Sequence, residues 1–210
     1  MTFDIAKTSG LVSAAALAAG AQGAQAQAFD GLYAGLSFSY MAGDSALHFG
    51  DSYDYQLNED AALGLFVGYN MTLASGMVAG VELAFVPNMD TSENGGSSAS
   101  DTSYPNEHDS LMIDAKFKLG RVLGSTASSS MPIMLYGFGG ISALDSSSAA
   151  DSDYGTAFGV NYGFGAEMAL SNGFLIGLEV IGRTMDGYGY DGSSSTRNNY
   201  GASLRAGFRF

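Results

Sequence analysis

No cysteine occurs among the 210 residues, so no disulfide framework holds the fold, which is compatible with export. No run of about 18 apolar residues occurs either, so no transmembrane helix is available. A chain of this kind can cross a membrane only as a closed barrel, because an open sheet would leave backbone N–H and C=O groups unpaired in hydrocarbon. Basic residues are scarce: 8 Lys plus Arg stand against 21 Asp plus Glu, a formal net charge of −13. Such a chain repels a phosphate backbone, and no basic patch is interleaved with aromatics, which argues against nucleic acid as a partner. What is abundant is glycine, at 30 residues, together with 13 Phe and 12 Tyr. Glycine at this level disfavours helix, and its pairing with aromatics in alternating segments favours sheet. The apolar share of 46% suits a soluble core and a membrane wall equally, so periodicity must decide.

Residues 1–28 have their own composition. A short apolar run, LVSAAALAAGA at 11–21, is followed by Gln-rich spacing and by Ala26-Gln27-Ala28, a small-x-small tripeptide of the kind signal peptidase cuts. The expectation is a signal peptide removed after Ala28, with the mature domain spanning 29–210. The alternative is an Ala-rich helix that stays attached, too short to be a membrane span.

Eight alternating segments follow, at 29–41, 59–73, 77–88, 109–123, 131–144, 154–170, 174–186 and 197–210. The pattern is plainest at 109–123, where Leu111, Ile113, Ala115, Phe117 and Leu119 oppose Met112, Asp114, Lys116, Lys118 and Gly120. In 131–144 both faces are apolar or glycine, and no face can be assigned. Four polar breaks, 42–58, 89–108, 145–153 and 187–196, alternate with the short connections 74–76, 124–130 and 171–173. The break 89–108 has no apolar periodicity and reads as a mobile loop. An even strand count with short turns at one end and long loops at the other predicts an all-β, eight-stranded antiparallel up-and-down transmembrane barrel. Short turns face the periplasm of a Gram-negative envelope, which puts both termini on that side.

Charges fit the same picture. Of the seven basic residues beyond position 28, Lys116, Lys118, Arg183, Arg205 and Arg209 fall on the face opposite the apolar one, together with Glu82, Asp114, Glu167 and Glu179. Counting up from the short turns sets Glu82 level with Lys116 and Lys118 and Glu179 level with Arg205, and it brings Glu167 toward Arg205 and Arg209. Opposite charges facing each other across neighbouring strands stabilise the pairing. A barrel of eight strands is just wide enough for its side chains to fill, so the network reads as a plug, with a gated ion path as the alternative. Most remaining acids, from Asp44 to Asp191, lie in or beside the long breaks, with Arg197 the only base nearby. Divalent cations would find oxygen ligands there, yet no spacing reproduces a calcium loop, so no metal or cofactor is expected.

Catalytic motifs are absent. His48 and His108 fall in Ser/Asp-rich breaks where a Ser, His, acid set could be drawn, as it could in almost any such loop. Gly137-Phe138-Gly139-Gly140 and Gly163-Phe164-Gly165 do not open a helix after a strand, as a nucleotide site requires; inside a narrow barrel such glycines make room for larger side chains.

The opening of the mature chain, Phe29-Asp30-Gly31-Leu32-Tyr33-Ala34-Gly35, resembles that of small outer-membrane barrels related to the OmpA transmembrane domain and OmpX, including alphaproteobacterial porin-family proteins. The ending, with Tyr200, Leu204, Phe208 and Phe210 on one face and Phe210 last, resembles the signal read by the outer-membrane assembly machinery. The resemblance implies a lone barrel in lipid and lipopolysaccharide, without a peptidoglycan-binding domain after Phe210. Three functions follow as expectations: a closed structural and surface-interaction barrel with acidic extracellular loops whose ligand is unknown, a narrow porin-like channel, and, third, a lipid A-modifying enzyme.

Overall fold

The computed structural model describes residues 27–49, 51–73, 76–89, 107–123, 131–148, 156–188 and 194–210. Its strands are β1 (Gly31–Phe49), β2 (Asp51–Thr72), β3 (Met77–Met89), β4 (Glu107–Leu123), β5 (Ile133–Ser148), β6 (Thr156–Ala169), β7 (Phe174–Tyr188) and β8 (Ser194–Arg209). They close into one barrel in sequence order, each antiparallel to its neighbours, and β1 pairs with β8 from Tyr33↔Arg209 to His48↔Ser194. Closure leaves no sheet edge, which is the condition for a strand to survive in lipid.

Alternation sorts the side chains. On β1, Leu32, Leu36, Phe38 and Tyr40 point outward, and Tyr33, Ser37, Ser39 and Met41 are buried inside. The outward rows of the other strands are apolar too, for example Leu63, Leu65, Val67 and Tyr69 on β2. In water so wide an apolar surface would be costly; in a bilayer it is the wall. At the end where β1 starts and β8 stops, the three-residue turn 171–173 closes through Leu170 N donating to Phe174 O (2.8 Å), with Gly173 at φ 87°. A 3-10 turn, Gln27–Phe29, folds under the barrel and seats Phe29 at 0% exposure in the lower core.

The strands outrun their expected ends. Most of 42–58, expected as a polar break, continues the β1–β2 hairpin, with Asp44 opposite Gln56 and Phe49 opposite Asp51. The ladder continues because two polar strands in water still satisfy each other's backbone groups; only the lipid-facing apolar row stops near Tyr40. In the same way β5 runs on to Ser148, β7 to Tyr188, and β8 begins at Ser194. Of the expected mobile loop 89–108, Met89 ends β3 and 107–108 begin β4, while 90–106 lie outside the described residues, as do 1–26 of the expected leader. The unassigned segment resolves as well: on β5, Met134, Tyr136, Phe138, Ser142 and Leu144 face inward, and Leu135 and Ile141 outward.

Rings inside the barrel rest on glycines. Phe66 lies directly across from Gly35, Tyr33 from Gly68, Phe138 from Gly163 and Tyr136 from Gly165. A Cβ on Gly163 or Gly165 would meet the facing ring at 2.5 Å, so each aromatic depends on a bare backbone opposite.

Candidate functional site

Four strands carry the charges to one level of the lumen. Glu82 on β3 stands directly across from Lys116 on β4, while Lys118 stands two pairs lower, across from Gly80. Lys116 Nζ lies 3.4 Å from Glu82 Oε1 and Lys118 Nζ 3.3 Å from Oε2. Arg205, from β8, reaches over the lumen and holds the same carboxylate with both terminal nitrogens, at 2.9 Å and 2.5 Å. Its Nη1 also reaches Glu179 Oε2 at 2.6 Å, and Lys116 Nζ donates to Glu179 Oε1. Glu82 and Glu179 are therefore each shared between strands on opposite sides of the lumen.

A second pair lies beside it. Arg183 on β7 forks onto Asp114 on β4, Nε to Oδ1 at 2.9 Å and Nη2 to Oδ2 at 2.6 Å, and Ser142 Oγ donates to Oδ1 at 2.6 Å. The bidentate form is the geometry in which Arg binds carboxylate best. Arg183 Nη1 also lies 3.4 Å from Met41 Sδ, which belongs to a buried apolar cluster with Met112 and Met185.

Aromatic rings complete the first layer around the charges. Tyr33 Oη donates to Glu82 Oε2 at 2.8 Å and Tyr136 Oη to Glu179 Oε2 at 3.1 Å. Lys118 Nζ lies 4.4 Å from the Tyr136 ring centre and the Arg205 guanidinium 4.0 Å from that of Phe66, both within cation–π range. The gap left among Ser37, Asp114, Lys116, Glu179, Arg183 and Arg205 is about 10 Å³, room for about one water.

Several expected contacts are different. Arg205 is paired with Gly177, and Glu179 with Ser203, so these two are offset by two residues rather than level. Both still point inward and meet, because the Arg205 side chain is long enough to span the offset. Glu167 is buried, but no ion pair joins it to Arg205 or Arg209, and its Oε1 lacks a hydrogen-bond partner. Arg205 is drawn up to Glu82 and Glu179. Arg209 instead clasps the backbone oxygens of Gln27 and Asp30, at 2.9 Å and 3.1 Å, fastening the turn beneath the barrel.

Sequence reasoning left four participants unplaced. Tyr33 was legible as inward but not as a ligand of Glu82; Tyr136 and Ser142 lie on the strand whose faces looked alike. Arg197, expected beside a loop, is a buried inward residue of β8. The backbones of His48 and His108 run in β1 and β4, and their side chains lie outside the described residues. Among the described residues no three His, Cys, Asp or Glu gather as metal ligands. Tyr200, Leu204, Phe208 and Phe210 all face outward, and Phe208 packs edge-on against Phe174 and Phe210 at 5.3 and 5.6 Å.

Comparison with known proteins supports the same architecture. The chain is similar in fold to the outer membrane protein AlkL in lipid bilayers, with 15% identity, 86% of this chain and 90% of that one covered, and a TM-score of 0.53. It is similar to the outer membrane protein OprG from Pseudomonas aeruginosa, with 13% identity, 86% and 96% covered, and a TM-score of 0.51. No curated protein matches it. The family profile for the outer membrane protein beta-barrel domain matches residues 11–210. An apolar wall, a closed ladder and a match over nearly the whole sequence lead to one conclusion: the chain belongs to the outer membrane protein beta-barrel family, and its place is the outer membrane of a Gram-negative bacterium.

Proposed function

We propose that this barrel is closed to solutes and serves as a structural and surface-interaction protein, presenting acidic hairpins outside the cell. The observation that carries this reading is the double strut of Glu82 and Glu179, each shared by bases from opposite walls, around a gap of only about 10 Å³. An ion crossing that level would have to part charges with room for at most about one water to replace their partners, and each charge left unpaired would cost several kcal/mol, of the order of 3. Above it, Asp44 accepts from Asn198 at 3.0 Å and Asp186 from Thr196 at 2.9 Å, exposed carboxylates held on the upper parts of their strands. Along β8, the outward face of Tyr200, Leu204, Phe208 and Phe210 is what the assembly machinery would read, and a signal peptide cut after Ala28 would deliver the chain for export. The surrounding lipid and lipopolysaccharide are its standing partners.

The refolded protein in planar bilayers should show negligible conductance over hours. Steady single-channel events whose size changes on replacing Lys116 or Arg205 would favour the narrow channel and end this reading.

A further inference from the structure

One base escapes the lumen. Lys116, Lys118, Arg183, Arg197 and Arg205 are buried inside, and Arg209 is tied to backbone oxygens at the lower rim. Arg121 alone among the described basic residues faces outward, on the lipid side of β4 between Leu119 and Leu123. It lies at the short-turn end of its strand, with Met77 and Leu135 as cross-strand neighbours. Its side chain makes no ion pair or hydrogen bond among the described residues. The exposed acids Asp44, Glu59, Asp145 and Asp186 sit in the halves of their strands away from the short turns.

A groove of about 510 Å³ opens beside it in the wall, walled by Leu119, Leu135 and Phe164 and floored by Gly137. Gly137 is outward-facing, and a Cβ placed there would meet nothing nearer than 3.8 Å; the same holds for Gly139, two residues further up β5. A second, separate apolar groove of about 470 Å³, lined by Gly139, Phe117 and Ile141, lies next to it further up the wall. From Arg121 to Phe117 is four residues, about 14 Å of strand, which at a barrel tilt of about 40° is about 10 Å of depth within the roughly 15 Å of hydrocarbon in one leaflet. A cation at the rim with two shallow apolar grooves in the wall above it is complementary to one kind of molecule, an anionic head on an acyl chain.

We propose that this face holds a phospholipid of the periplasmic leaflet, its phosphate bound by the Arg121 guanidinium and one acyl chain laid over Gly137 and Gly139. Arginine suits phosphate because its planar fork can give two parallel N–H bonds. A guanidinium that only snorkels to water would need no groove beside it.

Native mass spectrometry of the full, folded barrel released from detergent with phosphatidylglycerol tests this. The wild type should retain one lipid; Arg121→Gln should lower retention about tenfold, as expected for loss of a charge-assisted contact, and Arg121→Lys should keep part of it. Gly137→Leu, which fills the trough on the open side, should lower retention with Arg121 intact while heat-modifiable gel mobility shows the barrel folded. Excess inorganic phosphate should leave the adduct in place. Equal retention by wild type and Arg121→Gln, no effect of Gly137→Leu in a folded barrel, or displacement by phosphate alone would overturn the proposal.

Discussion

Asp114 spends both carboxylate oxygens on Arg183 and accepts from Ser142 as well, in a place where neither partner reaches bulk water. A buried pair of this form is worth little against an apolar replacement of both partners, but breaking it from one side strands a charge. Arg183→Ala should therefore lower unfolding stability by about 3 kcal/mol, and Arg183→Ala with Asp114→Ala should recover much of that loss. Urea titration read by gel mobility checks both, since the chain has no tryptophan to report by fluorescence. A double variant no better than the single one would mean that the pair is not what the arginine supports. Glu167 is the counter-case: it is buried, and its Oε1 has no donor. Counting from the turns placed it in the right layer but could not foresee that Arg209 would turn to the Gln27 and Asp30 carbonyls.

Within single strands, legibility depended on contrast between faces. On β4 lysines and aspartate alternate with Leu, Ile and Phe, and both the strand and its inward face could be read directly. On β5 no such contrast exists, because its inward row is Met, Tyr and Phe, as apolar as the outward one. The missing signal was across the ladder: Tyr136 and Phe138 stand opposite Gly165 and Gly163, and an inward ring needs a bare backbone beside it. Gly165→Val should push the Tyr136 ring off Glu179 and cost about 2 kcal/mol, whereas Gly139→Val, facing open space, should change stability by less than about 0.5 kcal/mol. The same urea titration separates them; equal effects would contradict the face assignment of β5. Strand ends were the least legible part. Polarity marks where lipid stops, and it was read as the end of the strand, although the β1–β2 hairpin carries its backbone ladder on to Phe49 and Asp51.

For the whole molecule, strand number and antiparallel order followed from periodicity and from the alternation of long and short breaks. The lumen was legible in outline only. Sequence spacing gives height along a strand, and so it found Glu82 beside Lys116; it does not give reach across the barrel, which is how Arg205 comes to hold Glu82 from three strands away. The resulting ties join β3 to β8 and β4 to β7, so the barrel is braced across its width as well as around its wall. That bracing is the central claim, and a double-mutant cycle on Glu82→Gln and Arg205→Gln tests it most directly. If the two side chains meet across the lumen, their effects on unfolding free energy should be non-additive by at least about 1 kcal/mol. Additive effects, within about 0.3 kcal/mol, would show that the charges do not meet and that the lumen is not closed in this way.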